Sequence, residues 1–125
     1  MSKQIISTKN APGAVGPYSQ AVRYGDMLFV SGQIPLNPET KIMPESPAEQ
    51  ARQCLNNLKA ILEEAGSGLD KVIRAGVFLT NLDDFTAVNE VYATFFDGDY
   101  PARACVEVSR LPLGANVEIE CVAHI

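Results

Sequence analysis

Histidine and tryptophan are almost missing from this chain, with one histidine, His124, and no tryptophan in 125 residues. Cysteine is scarce as well. Cys54, Cys105 and Cys121 are an odd number at wide spacings with no CxxC pair, which argues against a disulfide framework and against a structural zinc site. With its only histidine at position 124, the sequence shows no base paired with Cys105, which argues against a nucleophile there. Basic residues are outnumbered, 10 against 15 acids, for a formal charge of −5. A phosphate backbone is bound mainly by a basic surface, so nucleic acid is a poor partner. No apolar run approaches membrane-spanning length, and Met1 to Ser7 carries too little apolar character for a signal peptide. A cytoplasmic chain without membrane association is expected. Aromatics are only 7% of the residues, so the core must be built from Leu, Ile, Val and Ala.

What is present is a foldable chain of one-domain size, residues 1–125, with 46% hydrophobic and 20% charged residues and no repeat or low-complexity tract. Ser46-Pro47-Ala48-Glu49 reads as a helix start: a capping serine, a proline at the first helical position and a glutamate able to close a capping box. Ala48, Ala51, Leu55, Leu58, Ile61, Leu62 and Ala65 then recur at helical spacing, and Gly66 is a left-handed stop, so a helix is predicted over about 47–65. A second is predicted from Leu82 to Phe96, with Phe85, Val88, Tyr92 and Phe95 on one stripe. Strands are predicted at 5–7, 23–24, 27–31, 72–80, 104–109 and 117–123, with Gly25-Asp26 as a hairpin turn. This order implies an α+β fold, a sheet with both helices on one face. Strand 72–80 places Val72, Gly76 and Phe78 on one side and Ile73, Ala75, Val77 and Leu79 on the other, so both sides read as apolar. An apolar sheet face with no helix left to cover it predicts an oligomer.

Period-two alternation sends Arg103, Cys105 and Glu107 to one face of their strand, and gives Glu118 and Glu120 a polar face on the last strand. One sheet face is therefore expected to collect an arginine and carboxylates. Cross-strand ion pairs on a solvated face explain the same pattern equally well. The segment 11–20 is rich in glycine and proline, and Ser31-Gly32 ends a strand with small residues, where backbone can approach a ligand or simply turn.

Taken together, GPYSQA at 16–21, SGQIP at 31–35, QARQCLNNLKAILEEAG at 50–66, VFLTNLDDFTAVNEVY at 77–92, PARACVEV at 101–108, RLP at 110–112 and VEIE at 117–120 resemble the RidA/YjgF family of enamine and imine deaminases along nearly the whole chain. The resemblance implies a chorismate-mutase-like fold of the Bacillus type, a mixed sheet with two helices on one face, assembled as a homotrimer with ligand clefts between subunits. It implies hydrolysis of 2-aminoacrylate and 2-aminocrotonate, with their imine tautomers 2-iminopropanoate and 2-iminobutanoate, to 2-oxo acids and ammonia, with no cofactor and no metal. By the same resemblance Arg103 binds the substrate carboxylate and Glu118 positions water. Tyr18, Ser31, Gly32, Asn89 and Cys105 line the site. Asn89 has no support from the residue pattern itself, since a polar residue in a predicted helix ordinarily faces solvent. Ala104 departs from the family, whose members often have Ser between the arginine and the cysteine. Two other functions fit the same residues: a noncatalytic sensor of small carboxylates that signals to a partner protein, and RNA cleavage, which the acidic balance disfavours.

Overall fold

A computed structural model describes all residues, 1–125. Six strands form one sheet in the order β1-β2-β3-β6-β4-β5: β1 (Gln4–Ile6), β2 (Ala21–Tyr24), β3 (Met27–Gln33), β4 (Val72–Leu79), β5 (Ala102–Glu107) and β6 (Val117–His124). All neighbours are antiparallel except β4 and β5, which run parallel and are joined through a crossover helix, so the sheet is mixed. Two helices, α1 (Pro47–Glu64) and α2 (Phe85–Thr94), contribute to the same buried cluster as the inward faces of β3, β4 and β6. The expected α+β architecture is thus present.

Helix α1 begins where the sequence placed it. The Ser46 side chain accepts from the Glu49 N–H at 3.2 Å, but Glu49 does not close the box, because its carboxylate pairs with Arg52 Nε at 2.9 Å. At the other end Gly66 adopts φ +81°, and the N–H groups of Gly66 and Ser67 return to the carbonyls of Glu63 and Leu62 at 3.1 and 2.8 Å, a Schellman stop. Leu55, Leu58, Ile61 and Leu62 are fully buried, each contributing on the order of 1.5–3 kcal/mol from apolar burial. The second helical segment is divided. A 3-10 turn at Leu82–Asp84, capped by the Asn81 side chain, precedes α2, and Val88, Val91 and Tyr92 face the core while Phe85 is left 39% exposed.

Strands β2 and β3 extend beyond their predicted limits of 23–24 and 27–31, and register alters the reading of β5 and β4. Strand β5 starts at Ala102, not Ala104, so Arg103 lies inside the ladder opposite Ala75. In β4 an extra residue sits between Val72, opposite Ala123, and Arg74, opposite Val122. This bulge turns Val72 toward the core and Ile73 out to solvent, the reverse of a plain alternation. The uncovered face is also less uniformly apolar than strand β4 read alone. One cross-strand row runs Ile5, Val22, Phe29, Val122, then Arg74, while Glu118 and Glu120 occupy the rows beyond.

Buried amides hold the loops to this frame. Gln20, 4% exposed, accepts from Thr8 N–H at 2.7 Å and donates to the carbonyls of Thr8, Ala11 and Pro12 at 3.1, 3.3 and 2.8 Å. Asn57 donates to Ile34 and Leu36, and Gln50 links Pro44 to the N–H of Asn116. Gln20→Leu should strand those backbone groups and lower stability by about 1–3 kcal/mol. Urea unfolding measures the loss, and accelerated amide exchange at Thr8 is its local signature.

Candidate active site

The uncovered sheet face carries a concavity of about 620 Å³ where β3, β4 and β6 meet the loops before β2 and β6. Its polar wall is Tyr18, Ser31, Glu118 and Glu120, and its apolar wall includes Val15, Ile34, Phe78 and Leu113. A second bulge builds the polar wall. Between Val30, opposite Cys121, and Gln33, opposite Ile119, β3 has one residue too many, which presents both Ser31 and Gly32 beside Glu118 and Glu120. Ser31 is fixed by its hydroxyl donating to the Ser19 carbonyl at 2.6 Å and its N–H donating to Gln20 at 2.9 Å.

Gly32 permits a close approach here. A Cβ at that position would lie 3.0 Å from Glu118 Cδ and 3.1 Å from its Oε2. Gly76, across the strand, does the same for Glu120, whose Oε2 would be 3.0 Å away. Glu120 has a cation, Arg74, at 3.8 Å, whereas Glu118 has no ion-pair partner. Burial, and then the neighbouring Glu120 charge, push the Glu118 carboxyl above its ordinary 4.5. The folded chain therefore holds this proton more tightly than the unfolded chain does. Its stabilising contribution is complete at acid pH and is lost as pH rises from the ordinary value through the raised one.

Arg103, Asn89 and Cys105 lie elsewhere. Parallel pairing sets Arg103 opposite the core residue Ala75, and Cys105 opposite Val77, so both point to the helix side of the sheet. There Arg103 Nη1 donates to Asn89 Oδ1 at 2.7 Å. The expected single face holding arginine and carboxylates is therefore not formed: within one chain Arg103 and Glu118 occupy opposite faces, because Glu118 pairs with the outward Phe78. Glu107 shares the Arg103 side and accepts from the Leu82 N–H at 2.9 Å, capping the turn before α2. Burial raises the Cys105 thiol despite the opposing effect of Arg103, and burial followed by Glu120 pushes Cys121 up to about 12, so both are protonated at neutral pH. No three His, Cys, Asp or Glu side chains converge as metal ligands, and no helix is long and apolar enough to cross a membrane.

Sequence reasoning missed three features of this geometry. Phe78 was read only as a sheet residue, although it floors the concavity. Alternation marks Glu120 only as part of a polar face, whereas its charge acts on Glu118. Leu113 was not singled out, and it sits at the rim with φ 57°, a left-handed conformation that costs a side-chain-bearing residue about 1–2 kcal/mol. The glycine inside β3 was the available signal for the bulge.

The fold and concavity define a small α+β protein with a ligand-sized site on an open sheet face. The family model described as Endoribonuclease L-PSP matches residues 8–125. The RutC family protein y4sK of Sinorhizobium fredii is 57% identical over 121 residues, 96% of each chain. The 2-iminobutanoate/2-iminopropanoate deaminase of Escherichia coli is 49% identical over 126 residues, 98% of each. A solved structure of E. coli TdcF with bound serine superposes with a TM-score of 0.95 at 48% identity, covering 98% of both chains. The chain belongs to the RidA/YjgF family.

Replacing Glu120 by Gln should lower the pH at which Glu118 titrates while leaving it above 4.5, since burial persists. Carbon-13 NMR of the carboxyl reads the midpoint. An unchanged midpoint would assign the whole shift to burial.

Proposed function

We propose that this protein hydrolyses 2-iminopropanoate, 2-iminobutanoate and their enamine tautomers to 2-oxo acids and ammonia, in clefts assembled between copies of the chain. The observation that carries this reading is the pairing of two incomplete half-sites. Glu118 is a half-buried carboxylate without a cation, and Arg103 is a cation without a carboxylate. They lie on opposite faces of one sheet, so they can act on one small molecule only if different copies supply them. The cross-strand row of exposed or half-exposed Ile5, Val22 and Phe29 gives the uncovered face apolar area to bury against a neighbour. The chorismate-mutase-like homotrimer implied by family resemblance is the assembly adopted here. A relative named as an imine deaminase at 49% identity and the serine-bound TdcF support a ligand carrying a carboxylate next to a nitrogen-bearing carbon.

In this reading Arg103 takes the substrate carboxylate through two parallel N–H bonds, each charge-assisted bond contributing about 1.5–3 kcal/mol. Asn89 fixes one guanidinium nitrogen and leaves the others free. Tyr18, 48% exposed at the rim, supplies a ring wall, and Cys105 a neutral thiol wall. Glu118 then accepts a proton from water as its oxygen bonds to C2. The C=N electron pair moves to nitrogen, which takes the proton that Glu118 accepted. The resulting carbinolamine collapses as its hydroxyl proton passes to nitrogen through Glu118, C2=O forms and the C–N bond breaks, releasing ammonia. Orientation plus one base, on the order of 100- to 10,000-fold, suffices for a reaction already fast in water. The raised Glu118 pKa matches the requirement for a base closer to neutrality than a free glutamate.

A carboxylate sensor would use the same arginine, and the serine-bound relative favours keeping it as the second reading. A dehydratase-coupled assay separates the two, because a sensor does not shorten the lifetime of the imine. RNA cleavage lacks support in the charge balance of 10 basic against 15 acidic residues.

Arg103→Ala and Glu118→Gln should each lose at least about 100-fold in imine hydrolysis, with melting temperatures near wild type. Co-refolded in equal amounts, the two inactive variants should recover about a quarter of wild-type activity if each site draws Arg103 and Glu118 from different copies of a ring. Absence of recovery, with mixed oligomers verified by mass, would refute the shared site. The acid limb of kcat/KM should lie above the ordinary glutamate range and disappear in Glu118→Gln.

A further inference from the structure

Arg103 is gripped by three side chains of one helix. Besides the Asn89 contact, its guanidinium carbon lies 4.8 Å from the centre of the Tyr92 ring and 5.7 Å from that of Phe85. Positions 85, 89 and 92 are spaced by four and three, so they form one stripe on α2. No carboxylate joins them. A carboxylate would hold the arginine more firmly, but it would cancel the charge and fill the N–H fork. Aromatic faces attract the cation through the ring quadrupole and use no donor. Of the five guanidinium N–H groups, the chain binds one, through Asn89.

Tyr92 sharpens the point. It is 4% exposed, and its hydroxyl is the one buried side-chain polar atom without a hydrogen-bond partner. The position therefore serves the ring and not the hydroxyl. Burial also raises the phenol above its ordinary pKa, so the ring faces Arg103 uncharged.

We propose that Tyr92 and Phe85 form an aromatic cradle that orients the Arg103 guanidinium and keeps its donors free for a substrate carboxylate, which makes both of them positioning residues. The proposal rests on reading Arg103 as the carboxylate-binding group.

Two measurements on the full chain test it: pyruvate binding by calorimetry, and the ligand-free order parameter of the Arg103 Nε–Hε bond by NMR relaxation. Phe85→Leu and Tyr92→Leu should each weaken pyruvate binding about tenfold and lower the order parameter. Phe85→Tyr and Tyr92→Phe, which restore a ring, should return both values toward wild type. Should Tyr92→Leu fail to fold, Phe85→Leu at its 39% exposed position carries the test alone. Unchanged affinity and order parameter in the Leu variants, with binding lost in Arg103→Ala, overturn the cradle and leave the carboxylate reading intact. If wild type and Arg103→Ala bind pyruvate equally, or neither binds it, the carboxylate reading fails, and an order parameter unchanged in the Leu variants rejects the cradle independently.

Discussion

Two glutamates of β6 pack closely against glycines presented by the strands on either side. Glu118 lies over Gly32 and Glu120 over Gly76, each at a distance where a Cβ would be in contact. That close approach joins β3, β6 and β4 into one polar patch between an apolar sheet row and the loops that carry Tyr18 and Leu113. The β3 bulge presents Ser31 and Gly32 together on the outward face while Val30 and Gln33 keep their places inside. A Cβ at either glycine would press on the carboxylate that lies against it.

The opposite face is organised by aliphatic packing. Leu28, Val77, Leu79, Val117 and Ile119 share one cluster with the buried face of α1 and have almost no exposure, as a sequence poor in aromatics requires. The buried amides in this interior have partners: Gln20, Gln50 and Asn57 spend them on loop carbonyls and N–H groups. These bonds hold the segments before β2, before α1 and before β6 against the sheet, so the walls of the concavity inherit the rigidity of the core. Arg103 stands at the margin of this apolar layer, on an edge strand, where rings can flank it while its donors stay accessible. A charge placed there unpaired has a use only when a negatively charged group arrives, which in the proposed reading is the substrate.

Much of the local structure was legible from residues alone. Ser46 and Gly66 delimit α1 through a side-chain oxygen and a left-handed backbone, both local effects, and the structure has Ser46 as the N-cap and Gly66 just past the C-cap Ala65. The alternation of β6 correctly separated Glu118 and Glu120 from Val117, Ile119 and Cys121. Less was legible where an extra residue interrupts a ladder. Nothing within 72–80 marks Ile73 as the bulged residue, because the bulge exists only relative to β6. The Arg103 contact with Asn89 was likewise invisible, since it depends on where α2 lies over β5. Resemblance to a family named those residues without saying which of them meet.

Composition and periodicity by themselves determined the class of fold, the aliphatic core, the limits of α1 and the sidedness of β6, because all of these are set within a few residues of one another. Only the tertiary structure decided which sides coincide. Alternation tells which residues of one strand share a face, but strand order and register tell which faces are the same, and those are fixed by packing between distant segments. That is why an arginine and a glutamate that looked like neighbours on one surface stand on opposite sides of the sheet.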